Sequence, residues 1–128
     1  MTIRFNTAQR NMLADAIASD IGSHTLSIYT GTQPATANDA ASGTKLVDIT
    51  INGFNAAASG SATLDTSSPN TGVAVAAGTA GWGRITGTTG VIDGTVGTSG
   101  TDFTINSTSV SNGATVTLTA MTITQPAS

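Results

Sequence analysis

What most constrains this chain is a change of period. Between residues 7 and 21 the apolar side chains Leu13, Ile17 and Ile21 recur every four positions. From His24 onward the recurrence is every two, in short runs that stop at glycine, proline or asparagine. A four-residue repeat lays side chains along one stripe of a helix, whereas a two-residue repeat lays them on one face of a strand. The pattern therefore supports one helix followed by a series of short strands.

The helix is expected at about 7–21. Asn6 is a good N-cap, Gln9 three positions later suits a capping-box-like turn, and Gly22 supplies the stop. Met12 and Ala16 stand beside the Leu13, Ile17 and Ile21 stripe. That apolar face must lie on the rest of the domain or on a neighbouring subunit.

The strands begin with Leu26 and Ile28, which alternate with polar neighbours up to the turn residues Gly31 and Pro34. After a loop, Val47, Ile49 and Ile51 alternate with Leu46, Asp48 and Thr50 and stop at Asn52-Gly53. Weaker strands are expected at about 54–58 and 60–65, a break at 67–70, and a further strand marked by Val73 and Val75. In the run AGWGRIT, Trp82, Arg84 and Thr86 share one face while Gly81, Gly83 and Ile85 share the other. Glycines around a large aromatic inside a strand predict the close approach of another backbone, or a bulge.

Three more runs follow: GVIDGTVG, TDFTIN and ATVTLTAMTIT. In the last, Val116, Leu118 and Ala120 hold one phase and Met121 and Ile123 the other, so a bulge or bend is expected near Ala120. Pro126 is expected to end the strand and leave a short tail. About eight short strands separated by turn signals describe an all-β fold: a single β-sandwich or jelly roll over 24–125, with an irregular barrel as the alternative.

A length of 128 residues fits one domain spanning 1–128, in which folding buries roughly 65–70% of the surface of the extended chain. No apolar run approaches the roughly 20 residues needed to cross a bilayer, and the first residues lack the order of a secretory signal. A soluble protein made and kept in the cytosol, or assembled there into something larger, with no membrane partner, is expected. Cysteine is absent, which excludes disulfides, thiolate chemistry and zinc–sulfur sites. Only 9% of residues are charged, and the net charge is -3. Disordered chains combine low hydrophobicity with high net charge, so this balance favours a folded, Thr-rich sheet protein instead. Few long charged side chains need to be immobilised when such a surface becomes an interface. Lys45 is the sole lysine to guard a strand edge, so some edge or face is expected to be covered in an assembly. Four basic residues cannot neutralise a run of phosphates, which argues against nucleic acid as a partner.

Chemistry-bearing residues are sparse. His24 is the sole histidine and sits at a helix-to-strand turn, where a solvated or capping role is the default. With no glutamate, a carboxylate pair would have to come from seven aspartates. Asp93 and Asp102 are the best placed, although Asx-type turn bonding explains them as well. Gly43-Thr44-Lys45 lacks the upstream glycine of a phosphate loop, and no calcium-loop pattern occurs. A non-enzymatic protein without cofactor or metal is expected. The candidate interface residues are Trp82 and Arg84, with the helix stripe Leu13, Ile17 and Ile21. Trp82 could serve as a core anchor, an interface anchor or a sugar platform, and Arg84 could stack on it or pair with an aspartate.

The segments GTQPATANDAASGTKLVDITING, AAGTAGWGRITG and VIDGTVGTSGTDFTINSTSVSNGATVTLTAMTITQPA together resemble small virion and prophage-encoded proteins of tailed bacteriophages, found among head and neck structural genes. The likeness covers about residues 26–127 and carries no functional motif. It implies a capsid decoration or cement protein with a compact β-sandwich or jelly roll. Such a protein would bind the major capsid protein on the virion exterior as a homo-oligomer, a dimer or trimer. A tail or neck component and a carbohydrate-binding adsorption module are the other classes.

Overall fold

A computed structural model describes residues 3–125. The stop expected at Pro126 and the tail after it lie outside these residues. The helix, α1 (Thr7–Ile21), has the expected bounds. Asn6 caps it, its side-chain oxygen accepting from the Gln9 N–H at 2.9 Å. Gly22 ends it in a right-handed conformation, and any Cβ there would collide with the Ala18 carbonyl. Glycine is thus required here by space and not by a left-handed turn.

Which face is buried differs from expectation. Ala14, Ala18 and Ile21 are buried, Leu13 and Ile17 are half-buried, and Met12 and Ala16 are exposed. The contact stripe is rotated toward the small residues, which let the helix backbone approach the sheet closely. Polar tethers described below set that rotation.

Nine strands follow: β1 (Thr25–Thr30), β2 (Lys45–Thr50), β3 (Ser61–Thr63), β4 (Asn70–Val73), β5 (Gly78–Thr86), β6 (Val91–Gly97), β7 (Phe103–Ile105), β8 (Ser109–Val110) and β9 (Thr115–Thr124). They form one curled, mixed sheet in the order β2-β1-β5-β6-β7-β9-β3, with β4 also on β9 and β8 also on β5. Only β6 and β7 run parallel among the pairs. The architecture is an all-β, sandwich-like fold preceded by one helix.

Three bulges curl the sheet, since an extra residue on one strand sharpens its twist. On β9 the register passes from Thr104↔Ala120 to Ile105↔Leu118, leaving Thr119 unpaired. Val116 and Leu118 on one side of this bulge and Met121 and Ile123 on the other are then all buried, while Thr119 and Ala120 are exposed. The phase change in the sequence is this bulge. On β5, Gly81 is passed over between Tyr29↔Trp82 and Thr30↔Ala80, and a Cβ on it would strike the Gly31 carbonyl. Close approach and bulge coincide there. On β2, Leu46 is passed over between Ile28↔Val47 and Tyr29↔Lys45, so Leu46 and Val47 are both buried where strict alternation allows one.

Elsewhere the pattern misleads. Val73 and Val75 are 62% and 65% exposed, and the buried residues of that segment are Asn70 and Ala74. Asn70 is buried because its side chain accepts from the Asn52 N–H at 2.7 Å and donates to the Asp65 carbonyl at 3.1 Å. The expected strand at 54–58 is reduced to bridges at Phe54 and Ala58.

Leu26, Ile28, Ile49, Ile85, Phe103, Ile105 and Leu118 are each at most 2% exposed and form the centre of the core. Gly83 and Gly94 face each other across β5 and β6, and a Cβ on either would press on the Phe103 ring. The glycine pair makes a flat floor that admits the aromatic. Both ends of the strand order are covered by the chain itself. Val75 donates to the Leu46 carbonyl of β2 at 2.8 Å, and Asn55 donates to the Thr63 carbonyl of β3 at 2.8 Å.

Candidate functional site

Trp82 is fully buried, yet it lies outside the main apolar cluster. It belongs to the opposite face of the sheet, where it stacks on its cross-strand partner Tyr29 with ring centroids 4.7 Å apart and planes 16° apart. The Arg84 guanidinium lies 5.4 Å from the Trp82 ring centre. Arg84 also makes a two-pronged pair with Asp93, directly opposite on β6, at 2.6 and 2.8 Å. Side-chain exposures of 13% for Arg84 and 3% for Asp93 make this a largely desolvated pair. The Asp93 carboxylate holds the Arg84 pKa above its ordinary value, with smaller contributions from Tyr29 and Asp39. Arg84 therefore both stacks and pairs. A planar guanidinium allows this, since its flat face and its donor edge are used separately.

Of the five candidate interface residues, Trp82 is buried within the sheet and Ile21 is buried at the base of the helix. Arg84 is engaged by Asp93, and Leu13 and Ile17 are half-exposed on the helix. The structure brings Trp82 and Arg84 together on one face of the sheet. Ile17 and Ile21 share a separate groove.

The seven aspartates all accept hydrogen bonds from their own chain. Asp15 takes the Ala57 N–H, Asp39 the Thr36 N–H, and Asp48 the Ser27 hydroxyl and the Lys45 ammonium. Asp65 takes the Ser67 N–H, and hydrogen bonding to Ser67, chiefly its hydroxyl, holds its pKa below the usual value. Asp102 takes the N–H and hydroxyl of Thr95. Asp93 and Asp102, the pair singled out from sequence, thus have separate structural partners. No group of three potential metal ligands gathers among the described residues. His24 Nε2 lies 3.3 Å from the Thr88 hydroxyl, while His24 Nδ1 and the Trp82 indole N–H are buried without a partner among the described residues.

Asp20 has the most telling environment. It sits in the last turn of α1, where a negative charge opposes the helix dipole. Its two carboxylate oxygens accept the Thr89 and Gly90 N–H groups of the β5–β6 turn at 2.7 and 2.9 Å. Those bonds, Gly90 first, hold its pKa below the ordinary carboxylate value. The ionised acid staples the helix to the turn.

Between helix and turn lies an open groove of about 730 Å³, lined by Ala16, Ile17, Ile21, Val91 and Ile92 with Asp20 and residues 88–90 at its rim. Val91 is 39% exposed within it. Sequence reasoning found Ile17 and Ile21 but missed Asp20, Val91 and Ile92. The signal available was Asp20 itself, an acid at the wrong end of a helix. Compared with protein-family models, with curated proteins and with solved structures, the chain has no match.

Proposed function

We propose that this chain is a non-enzymatic structural protein of a virion, a decoration or cement protein that binds the outside of a tailed-phage head. The observation that carries the reading is where its polar chemistry goes. Every aspartate accepts hydrogen bonds from the chain's own donors, while Ile3, Met12, Val73 and Val75 stand 62–80% exposed. A surface with few unengaged charges and several exposed apolar side chains suits docking on another protein better than gripping a polar small molecule.

The resemblance of residues 26–127 to phage virion proteins supplies the partner class: the major capsid protein, engaged by a homo-oligomer at symmetry positions of the shell. Repetition over many equivalent sites raises effective affinity without tight single contacts. The alternative of a sugar-binding module is weakened by Trp82, whose ring is covered and offers no stacking platform. Purified protein mixed with expanded shells stripped of it should rebind at a fixed number of copies per symmetry element. Binding should change little between low and moderate salt, because screening acts chiefly on exposed charge pairs. Density confined to a portal or tail would replace the head reading by a tail or neck component, and no binding to any virion part would end both.

A further inference from the structure

We propose that the N-terminal arm Ile3-Arg4-Phe5 of one copy docks in the groove between α1 and the β5–β6 turn of a second copy. The inference stands on the arm and the groove alone and is independent of the virion reading. Ile3 is 80% exposed and Phe5 37%, so the arm carries one apolar side chain, Ile3, that its own domain leaves uncovered, and a second, Phe5, that it covers only in part. In an extended arm Ile3 and Phe5 point to one side and Arg4 to the other.

The groove offers the complementary surface. Ile17, Val91 and Ile92 give an apolar floor, and Asp20 places a carboxylate at the rim. Each Asp20 oxygen accepts one backbone N–H and keeps lone pairs for a second donor. Arg4 is the one basic side chain with no hydrogen bond or ion pair among the described residues, since Arg10 bonds to the Gln125 and Ser59 carbonyls, Lys45 to Asp48 and Arg84 to Asp93. An arm laid against Ile17, Val91 and Ile92 brings Arg4 to a groove that carries the Asp20 carboxylate.

Ile3 and Arg4 cannot reach the groove of their own copy. It leaves the helix at Asn6, whereas the groove begins at Ala16 and continues to Ile21. At 1.5 Å per residue that is about 15–22 Å along the helix. Three extended residues span only about 10 Å. The occupant must come from another copy, either reciprocally in a two-fold dimer or head-to-tail in a closed ring.

Light scattering on the full chain should show an oligomer that dissociates on dilution. Ile3→Asp with Phe5→Asp should weaken association about a hundredfold, as expected for two apolar side chains denied burial, with an unchanged circular dichroism spectrum. Val91→Asp should do the same from the groove side. Because the chain has no cysteine, a copy carrying Ile3→Cys mixed with one carrying Val91→Cys gives a clean readout even where Val91→Asp disturbs folding. A mixed disulfide dimer should form in preference to either homodimer. A monomer at every concentration, an oligomer indifferent to the arm substitutions, or cysteines that pair no better across the mixture than with themselves would each overturn the proposal.

Discussion

The sheet interior and the seat of the helix are held together by different physics. Inside the sheet, Leu26, Ile28, Ile85 and Phe103 are buried almost completely, and the glycine pair beneath the Phe103 ring leaves no slack. Under the helix, the buried side chains are chiefly the small Ala14 and Ala18, with Ile21 at the end. Ile17 packs half-buried beside them, and polar contacts supply much of the remainder. Arg10 donates to the Gln125 and Ser59 carbonyls, Asn11 accepts from Gly60 N–H, Asp15 from Ala57 N–H, and Asp20 from the β5–β6 turn. A buried methyl group contributes about 0.8 kcal/mol, so the two alanines supply little. The helix is oriented by directional bonds to backbone, and the sheet by undirected burial.

The largest effect should come from Phe103→Ala. Removing a buried aromatic typically costs about 3–5 kcal/mol, and backbone glycines cannot rotate into the cavity to soften the loss. Thermal unfolding should fall steeply, with sheet and helix signals lost together. A shift no greater than that of an exposed substitution would mean that the ring does not anchor the core.

A smaller effect, confined to one side of the comparison, should follow from acid. Asp20 has a lower pKa folded than unfolded, so its contribution is present above the ordinary carboxylate value and fades as pH falls through the depressed folded value. As pH falls below the ordinary carboxylate value, the amide resonances of Thr89 and Gly90 should titrate with the Asp20 carboxyl, ahead of any change in the β1 and β5 amides. Asp20→Asn should abolish that early step. Amide shifts that stay flat until global unfolding would contradict the staple.

The same division explains what could be read from the sequence. Alternation of Leu26 with Ile28 and of Val116 with Leu118 reports burial directly, and a break in alternation reports the β9 bulge. Trp82 and Arg84 were placed on one face by the same logic. The cover over Trp82 was not legible, because it depends on a cross-strand stack and an ion pair between residues far apart in sequence. Val73 and Val75 pointed outward because Asn70, through its bonds to Asn52 and Asp65, claims the inner side of that segment. The helix face was rotated for a related reason: side-chain bonds from Arg10, Asn11, Asp15 and Asp20 to distant backbone leave no periodic trace. What apolar spacing encodes was recoverable, and what single polar contacts decide was not.

The two regions should also open independently, since cooperative units in a fold divide where apolar contact is thin. Native-state hydrogen exchange, read amide by amide, tests this most directly. The account predicts that the amides of Ala14 and Ala18 in α1 exchange through a local opening of lower free energy than those of Leu26, Ile28 and Ile85, which should exchange only on global unfolding. Equal protection of helix and sheet, with the same response to denaturant, would contradict it.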